Sequence, residues 1–277
     1  MLNLSVKHKK QFAWLYGVCF ILSFSWYFYY DLLLCQVNPV FFINRLDITR
    51  NILFLTDLQN LLIQQLWLRQ LFDVLYFVLP MLLCFAVISG KKGVQLLAVI
   101  TSLFSMMYGV FLASFTYISL DMFVAWFFIP FIFYPNTEKG FYYVLHTVRL
   151  IFIILFFSAG LWKIRGGGIF NTEQMSGILV MQHKQYLAAN AGDWFSRFNA
   201  FLIGHKTISY GIYLLGTLAE LVFVVGFFTR RFDRILMVLF IVFFVSDYFL
   251  MRINYSNWMV FTGLLYFSKF KLEKNGI

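Results

Sequence analysis

Eight apolar stretches divide this chain, at roughly 11–34, 66–90, 94–115, 118–135, 142–163, 207–228, 233–250 and 255–269, with short polar or basic turns between them. Most approach the ~20 residues that a helix needs to cross the hydrocarbon of a bilayer. The pattern predicts an all-α polytopic integral membrane bundle of about eight transmembrane helices. Pro130 interrupts the fourth stretch, which is also short. Two longer segments break the rhythm. Residues 36–65 set Ile48, Ile52, Leu53, Leu55 and Leu58 between polar residues, which predicts an interfacial amphipathic helix. Residues 164–206 carry Trp194, Phe195 and Phe198 among charged residues. They read either as a loop with interfacial aromatic anchors or as a helix folded back into the bundle.

Composition agrees with this reading. Of 277 residues, 61% are hydrophobic, 22% aromatic and 12% charged, whereas a soluble domain is about 45–50% apolar and about 25% charged. The expectation is one membrane domain over 1–277, with N-terminal helices and the interfacial segment in 1–99 and a core in 100–268. The net charge of +10 does not point to nucleic acid, because Lys and Arg sit between apolar runs and form no block beyond KHKK at 7–10. With eight crossings, Lys7/Lys9/Lys10, Lys91/Lys92, Arg230/Arg231/Arg234 and Lys269/Lys271/Lys274 fall on one side. The positive-inside rule makes that side cytoplasmic, with both termini inside, in a bacterial cytoplasmic membrane. The first apolar run is too long for a signal-peptide core and no small-x-small cleavage site follows it, so a retained first helix is expected. Cys19, Cys35 and Cys84 lie in or beside apolar runs and imply no disulfide framework.

Between 142 and 163, His146, Arg149, Ile153, Phe156, Gly160 and Lys163 recur every three or four residues and share one helical face. Arg149 falls about two turns inside this stretch, where a guanidinium needs a partner or water. Glu220 lies at comparable depth in the next stretch, on a face with Tyr213, Gly216 and Thr217, whose small residues permit close approach. An Arg149–Glu220 ion pair is therefore expected, either to hold the fold or to carry a proton or substrate. On the outer side, Lys163 and Arg165 end the fifth stretch. Thr116, Tyr117 and Asp121 lie between the third and fourth, and Asp247, Arg252, Asn254, Tyr255 and Asn257 between the seventh and eighth. If these helices are neighbours, these groups form one polar pocket. Lys163 is then the candidate base, with Asp247 and Tyr255 beside it as catalytic groups. Arg165, Thr116, Tyr117, Asp121, Arg252 and Asn257 are the substrate-binding candidates. A poorly solvated lysine loses part of its preference for charge; the plainer alternative is that Lys163 and Arg165 snorkel to headgroups. Gly166, Gly167 and Gly168 stop the helix without a phosphate-loop pattern. The four histidines lack ligand spacing, so no metal is expected.

FFSAGLWKIRGGGIF, residues 156–170, resembles the aGl-K-L segment of the vitamin K-dependent γ-carboxylase-like, or HTTM, membrane domain. LGTLAELVFVVGFFTRRFDRILMVLFIVFFVSDYFLMRINYSNWMVF, residues 215–261, is similar to the later helices of that family, and the DoxX-like group is more distantly similar. The resemblance covers roughly 100–268. It implies that Lys163 stands where true carboxylases have the lysine acting as base on vitamin K hydroquinone. The first basic position of the motif is Trp162 here, and the family's two histidine positions fall near Ser114-Phe115 and at Ser246 or Asp247. γ-Glutamyl carboxylation is therefore not expected. What the resemblance implies is an exoplasmic-facing site for a quinone or lipid, linked to modification or maturation of an exported peptide. The alternatives are a non-catalytic membrane subunit that assembles with a membrane-protein partner, and a transporter. The lipid bilayer is the expected surrounding in each case.

Overall fold

The computed structural model of the chain describes residues 4–38, 55–116 and 118–268. Among these, every regular element is helical. In chain order they are α1 (Leu4–Tyr29), α2 (Leu58–Gln64), α3 (Leu66–Ser89), α4 (Val94–Phe115) and α5 (Val124–Phe128), which is flanked by 3₁₀ turns at Leu120–Phe123 and Ile129–Phe133. Then follow α6 (Glu138–Arg165), α7 (Gln174–Ala189), α8 (Trp194–Gly204), α9 (Lys206–Val222), α10 (Val224–Phe228), α11 (Asp233–Met251) and α12 (Phe261–Phe267). Further 3₁₀ turns lie at Gly168–Phe170 and Ser256–Trp258.

The described residues contain 6 helical stretches long and apolar enough to cross a membrane: Val6–Tyr29, Leu66–Ser89, Val94–Phe115, Glu138–Arg165, Lys206–Phe228 and Asp233–Met251. This is a helical membrane bundle, but six such helices replace the expected eight. The fourth apolar stretch folds as three short pieces, with Pro130 early in the last, where its missing N–H interrupts a continuous α ladder. The final stretch has only the 7 residues of α12 in regular helix. Most of the interfacial helix expected in 36–65 falls on residues 39–54, outside the described residues; α2 follows it. Tyr117 and Lys269–Lys274 also lie outside them.

The chain divides into two compact units, the first built from Met1–Val148 and Ser256–Phe267, the second from Arg149–Tyr255 and Ser268–Lys271. The boundary between the units falls inside α6.

In the first unit the core is aromatic. The rings of Tyr76 and Tyr108 stack with centroids 3.8 Å apart and planes 1° from parallel, and Phe20, Trp126 and Phe123 pack around them. Gly109 admits Phe123 so closely that a Cβ there would lie 2.6 Å from its ring. Asp73, buried on α3, accepts the N–H groups of Leu34 (3.1 Å) and Cys35 (2.8 Å) and the Tyr108 hydroxyl (2.6 Å). One turn earlier, Arg69 donates to the carbonyls of Leu34 (3.1 Å) and Val37 (3.0 Å). Together they satisfy the backbone as it leaves α1, which apolar surroundings would otherwise leave unpaired.

α1 also serves as a depth scale for the two short stretches. Asn257 bonds Ser23 and, at 2.8 Å, Tyr27, while Phe267 packs on His8 and Phe12. Those levels are about 22 Å apart along a helix rising 1.5 Å per residue. At the first level the Asp121 carbonyl accepts the Trp258 indole N–H at 3.1 Å; near the second, Lys9 donates to the Pro135 carbonyl. Both short stretches therefore run alongside α1 for most of its length. The fourth does so although it is broken into three short helical pieces.

In the second unit, Phe152, Phe156, Phe223, Phe240 and Phe243 pack together, mostly edge to face, between α6, the α9–α10 junction and α11. A second cluster of Met175, Leu179, Leu202 and Tyr213 joins α7, α8 and α9. Residues 164–206 are thus largely helical. Asp193 caps α8, accepting the Ser196 N–H at 2.6 Å.

Candidate functional site

Lys163 sits in the last turn of α6, where its helix ends at the three glycines. Gly167 takes φ +73°, a left-handed conformation that stops the helix without a Cβ penalty. Gly168 lies against the Tyr213 hydroxyl, so close that a Cβ would overlap it. The glycines thus seat Tyr213 of α9 beside the α6 end. The neighbouring Tyr210 hydroxyl bonds the Ile169 carbonyl and fixes the same turn. Gly160, one turn before Lys163, brings α6 within van der Waals contact of Glu220 and Leu221.

This close approach pairs Lys163 with Glu220: Nζ to Oε1 is 2.8 Å. The Lys163 side chain is 31% exposed and that of Glu220 only 5%. The second carboxylate oxygen of Glu220 is buried with no hydrogen-bond partner. Asp247, on α11, lies within electrostatic reach of both Lys163 and Glu220 and accepts a hydrogen bond from Tyr255. The Tyr213 and Phe243 ring centroids are 5.7 and 5.8 Å from the ammonium, a separation at which a ring face attracts a cation. One amine, two carboxylates and a phenol therefore stand together on four segments of the second unit, walled by two aromatic rings. Such a group can donate and accept protons within one side chain's reach.

The expected Arg149–Glu220 pair does not form. Arg149 bonds Asp233 instead, its Nε donating to Oδ2 at 2.8 Å and its Nη2 to Oδ1, with both side chains fully buried. Nη2 also reaches the Gly226 carbonyl at 2.8 Å, and Ser268 donates to Asp233. A Cβ at Gly226 would lie 2.7 Å from Leu236. Arg149 thus satisfies the carbonyls where α10 ends and the carboxylate where α11 begins, both of which need charge or donors at those termini. The correction has a simple cause. α6 offers two cations about four turns apart, and each takes the carboxylate at its own level.

The remaining expected site residues make contacts of their own. Arg165 is exposed and stacks on Trp162, 4.7 Å from its ring centroid. Arg252 lies over Phe195 at 4.4 Å. Thr116, Asp121 and Asn257 belong to the first unit: the Thr116 hydroxyl bonds the Leu112 carbonyl at 2.6 Å, and Asn257 is buried between Ser23 and Tyr27. Tyr117 lies outside the described residues. His146 also belongs to the first unit.

Sequence reasoning passed over Asp233 and Asp73. Asp233 stands among three arginines in the basic turn RRFDR, where a lone carboxylate does not stand out. Asp73 and Arg69, four residues apart in the apolar run LWLRQLFDVLYF, gave the available signal, because charges in such a run need buried partners. Comparison of the chain with protein-family models, with curated proteins and with solved structures finds no match.

Proposed function

We propose that the chain is an HTTM-like integral membrane protein in which Lys163, Glu220, Asp247 and Tyr255 form an acid–base site for a quinone- or lipid-sized substrate. The observation that carries this reading is the 2.8 Å Lys163–Glu220 pair at the end of a membrane helix, one-third open on the lysine side and closed behind the carboxylate. Lys163 is the group that meets substrate. Glu220 orients it, and Asp247 with Tyr255 supplies a second proton-exchanging pair. In this reading the fourth and final apolar stretches also cross the bilayer, giving eight crossings. Their alignment along α1 supports that count, since both span the depth between residues 8–12 and 23–27. Eight crossings put both termini and Arg230/Arg231/Arg234 on the cytoplasmic side of a bacterial inner membrane, and Lys163 on the exoplasmic side, where an exported peptide would be modified.

The test is saturable binding of menadiol and of a short-chain ubiquinone to the purified chain in nanodiscs, read by quenching of intrinsic fluorescence. Lys163→Met and Glu220→Gln should weaken binding tenfold or more, on the order of one charge-assisted hydrogen bond, while Glu173→Gln, in a separate exposed pair with Lys206, should not. Equal binding by wild type and Lys163→Met removes the reading. A second reading, a non-catalytic subunit, is favoured by α11, which has the smallest buried share of the six candidate spans. Co-purification of one stoichiometric membrane partner, with no quinone binding, would support it.

A further inference from the structure

The α7–α8 hairpin carries an outward face that the Lys163 site does not use, bordered by Trp194 where the hairpin packs on α11. On α8, Phe195, Ser196, Asn199 and Leu202 turn inward, and Trp194, Arg197 and Phe201 therefore share the opposite face. On α7 the buried set is Met175, Ser176, Leu179 and His183, leaving Met181 (79% exposed) and Lys184 outside. The adjoining helix end adds Trp162 (64%) and Phe170 (79%), with Arg165 over the Trp162 ring. Exposed aromatic and basic side chains mixed on neighbouring stretches of chain are what the headgroup layer of a bilayer selects.

The depth of this face is fixed by α11. His183 Nε2 bonds the Leu250 carbonyl at 2.9 Å and Gln182 donates to the Met251 carbonyl at 3.2 Å. Both carbonyls belong to the last turn of a helix long and apolar enough to cross the membrane. Trp194 stacks on Phe249 of the same turn, with centroids 5.5 Å apart. The hairpin is thus tied to the level at which α11 leaves the apolar layer. Its charge is one-sided as well. Glu173 is taken by Lys206 and Asp193 by the α8 N-terminus and Tyr186, and no ion pair among the described residues takes Arg165, Lys184 or Arg197.

We infer that the α7–α8 hairpin, with the Trp162–Arg165 helix end, is a docking surface for the anionic phospholipid headgroups of the membrane that holds the protein. The aromatic side chains enter the interface and the three cations meet phosphates, each contributing roughly a fivefold preference for an anionic headgroup at a membrane surface.

The test uses the full chain in nanodiscs of phosphatidylcholine alone or with about a third phosphatidylglycerol, with amide hydrogen exchange read on peptides from 174–204. The expected result is several-fold slower exchange with the anionic lipid. That slowing should be lost in the double variant Lys184→Glu/Arg197→Glu. In the wild-type chain it should also be lost at about 0.5 M NaCl, where the Debye length falls to a few ångströms. The wild-type salt series stands even if the double variant folds poorly. Identical exchange in the two lipids, or a lipid effect that salt leaves intact, overturns the inference. So does protection that appears only with a dimer by light scattering, which would make a second copy the occupant.

Discussion

Arg149 and Asp233 are joined by two hydrogen bonds with both side chains fully buried, and this pair links α6 to the start of α11. A guanidinium placed there has no water to fall back on, so its partner decides whether the second unit holds together. Arg149→Met should lower unfolding stability by about 3–5 kcal/mol, because it strands the buried Asp233 carboxylate. The double variant Arg149→Met/Asp233→Leu should recover much of that loss. Denaturant titration in micelles measures both, and a single variant no less stable than the double would refute the pairing.

Lys163 and Glu220 should couple more weakly, since the lysine is partly open to solvent. A double-mutant cycle with Lys163→Met and Glu220→Gln should give an interaction of about 1–3 kcal/mol, the range of a hydrogen bond to a charged group. Lys163→Met alone should be the worse single change, because it leaves the buried carboxylate wholly unpartnered. A coupling near zero would mean that the two side chains are not held together in the membrane.

Gly168→Ala should destabilise the chain by about 1–3 kcal/mol, as overpacking does in a fitted interior. The colliding atom is the Tyr213 hydroxyl oxygen, so Tyr213→Phe in the same chain should restore part of the loss. Thermal unfolding followed by circular dichroism is sufficient. Absence of rescue would locate the strain elsewhere in the turn.

Asp193 gives a pH dependence with a definite sign. The hydrogen bond from Tyr186 and the backbone N–H of Ser196 hold its carboxyl below the ordinary value of 3.8; the same bond pushes the Tyr186 phenol up. A depressed carboxyl stabilises the cap at every pH above its ordinary value, and that contribution fades as pH falls through the lowered one. Amide hydrogen-exchange protection at the start of α8 should therefore hold on acidification and fall only below about pH 4. Asp193→Ala should show little protection there throughout. Loss of protection already between about pH 7 and 5 would contradict the assignment, because no carboxylate held this way titrates there.

Much of the architecture was visible in the apolar pattern. The six long helices fall on six of the apolar stretches, and residues 164–206, open between a loop and a helix, are largely helical. The fourth and last stretches were legible as apolar and not as broken, because hydropathy does not distinguish a 3₁₀ turn from an α-helix of the same composition. At the site, the face carrying Arg149, Gly160 and Lys163 followed from helical spacing alone. Asp247 and Tyr255 were named beside Lys163 by topology; which carboxylate each cation takes, Asp233 for Arg149 and Glu220 for Lys163, was not legible.

The sequence by itself determined that this chain is a helical membrane protein, where its apolar stretches lie, and that α6 presents two cations on one face. Tertiary structure alone decided that Arg149 goes to Asp233 and Lys163 to Glu220, and that Asp73 holds the chain leaving α1. The reason is physical. In a bilayer the surrounding lipid is as apolar as the protein core, so hydropathy does not say which face of a helix turns inward or which neighbour it meets. That choice falls to close approach at Gly109, Gly160 and Gly226, to aromatic packing, and to the demand of each buried charge for a partner at its own depth. Those relations exist only once the helices are side by side.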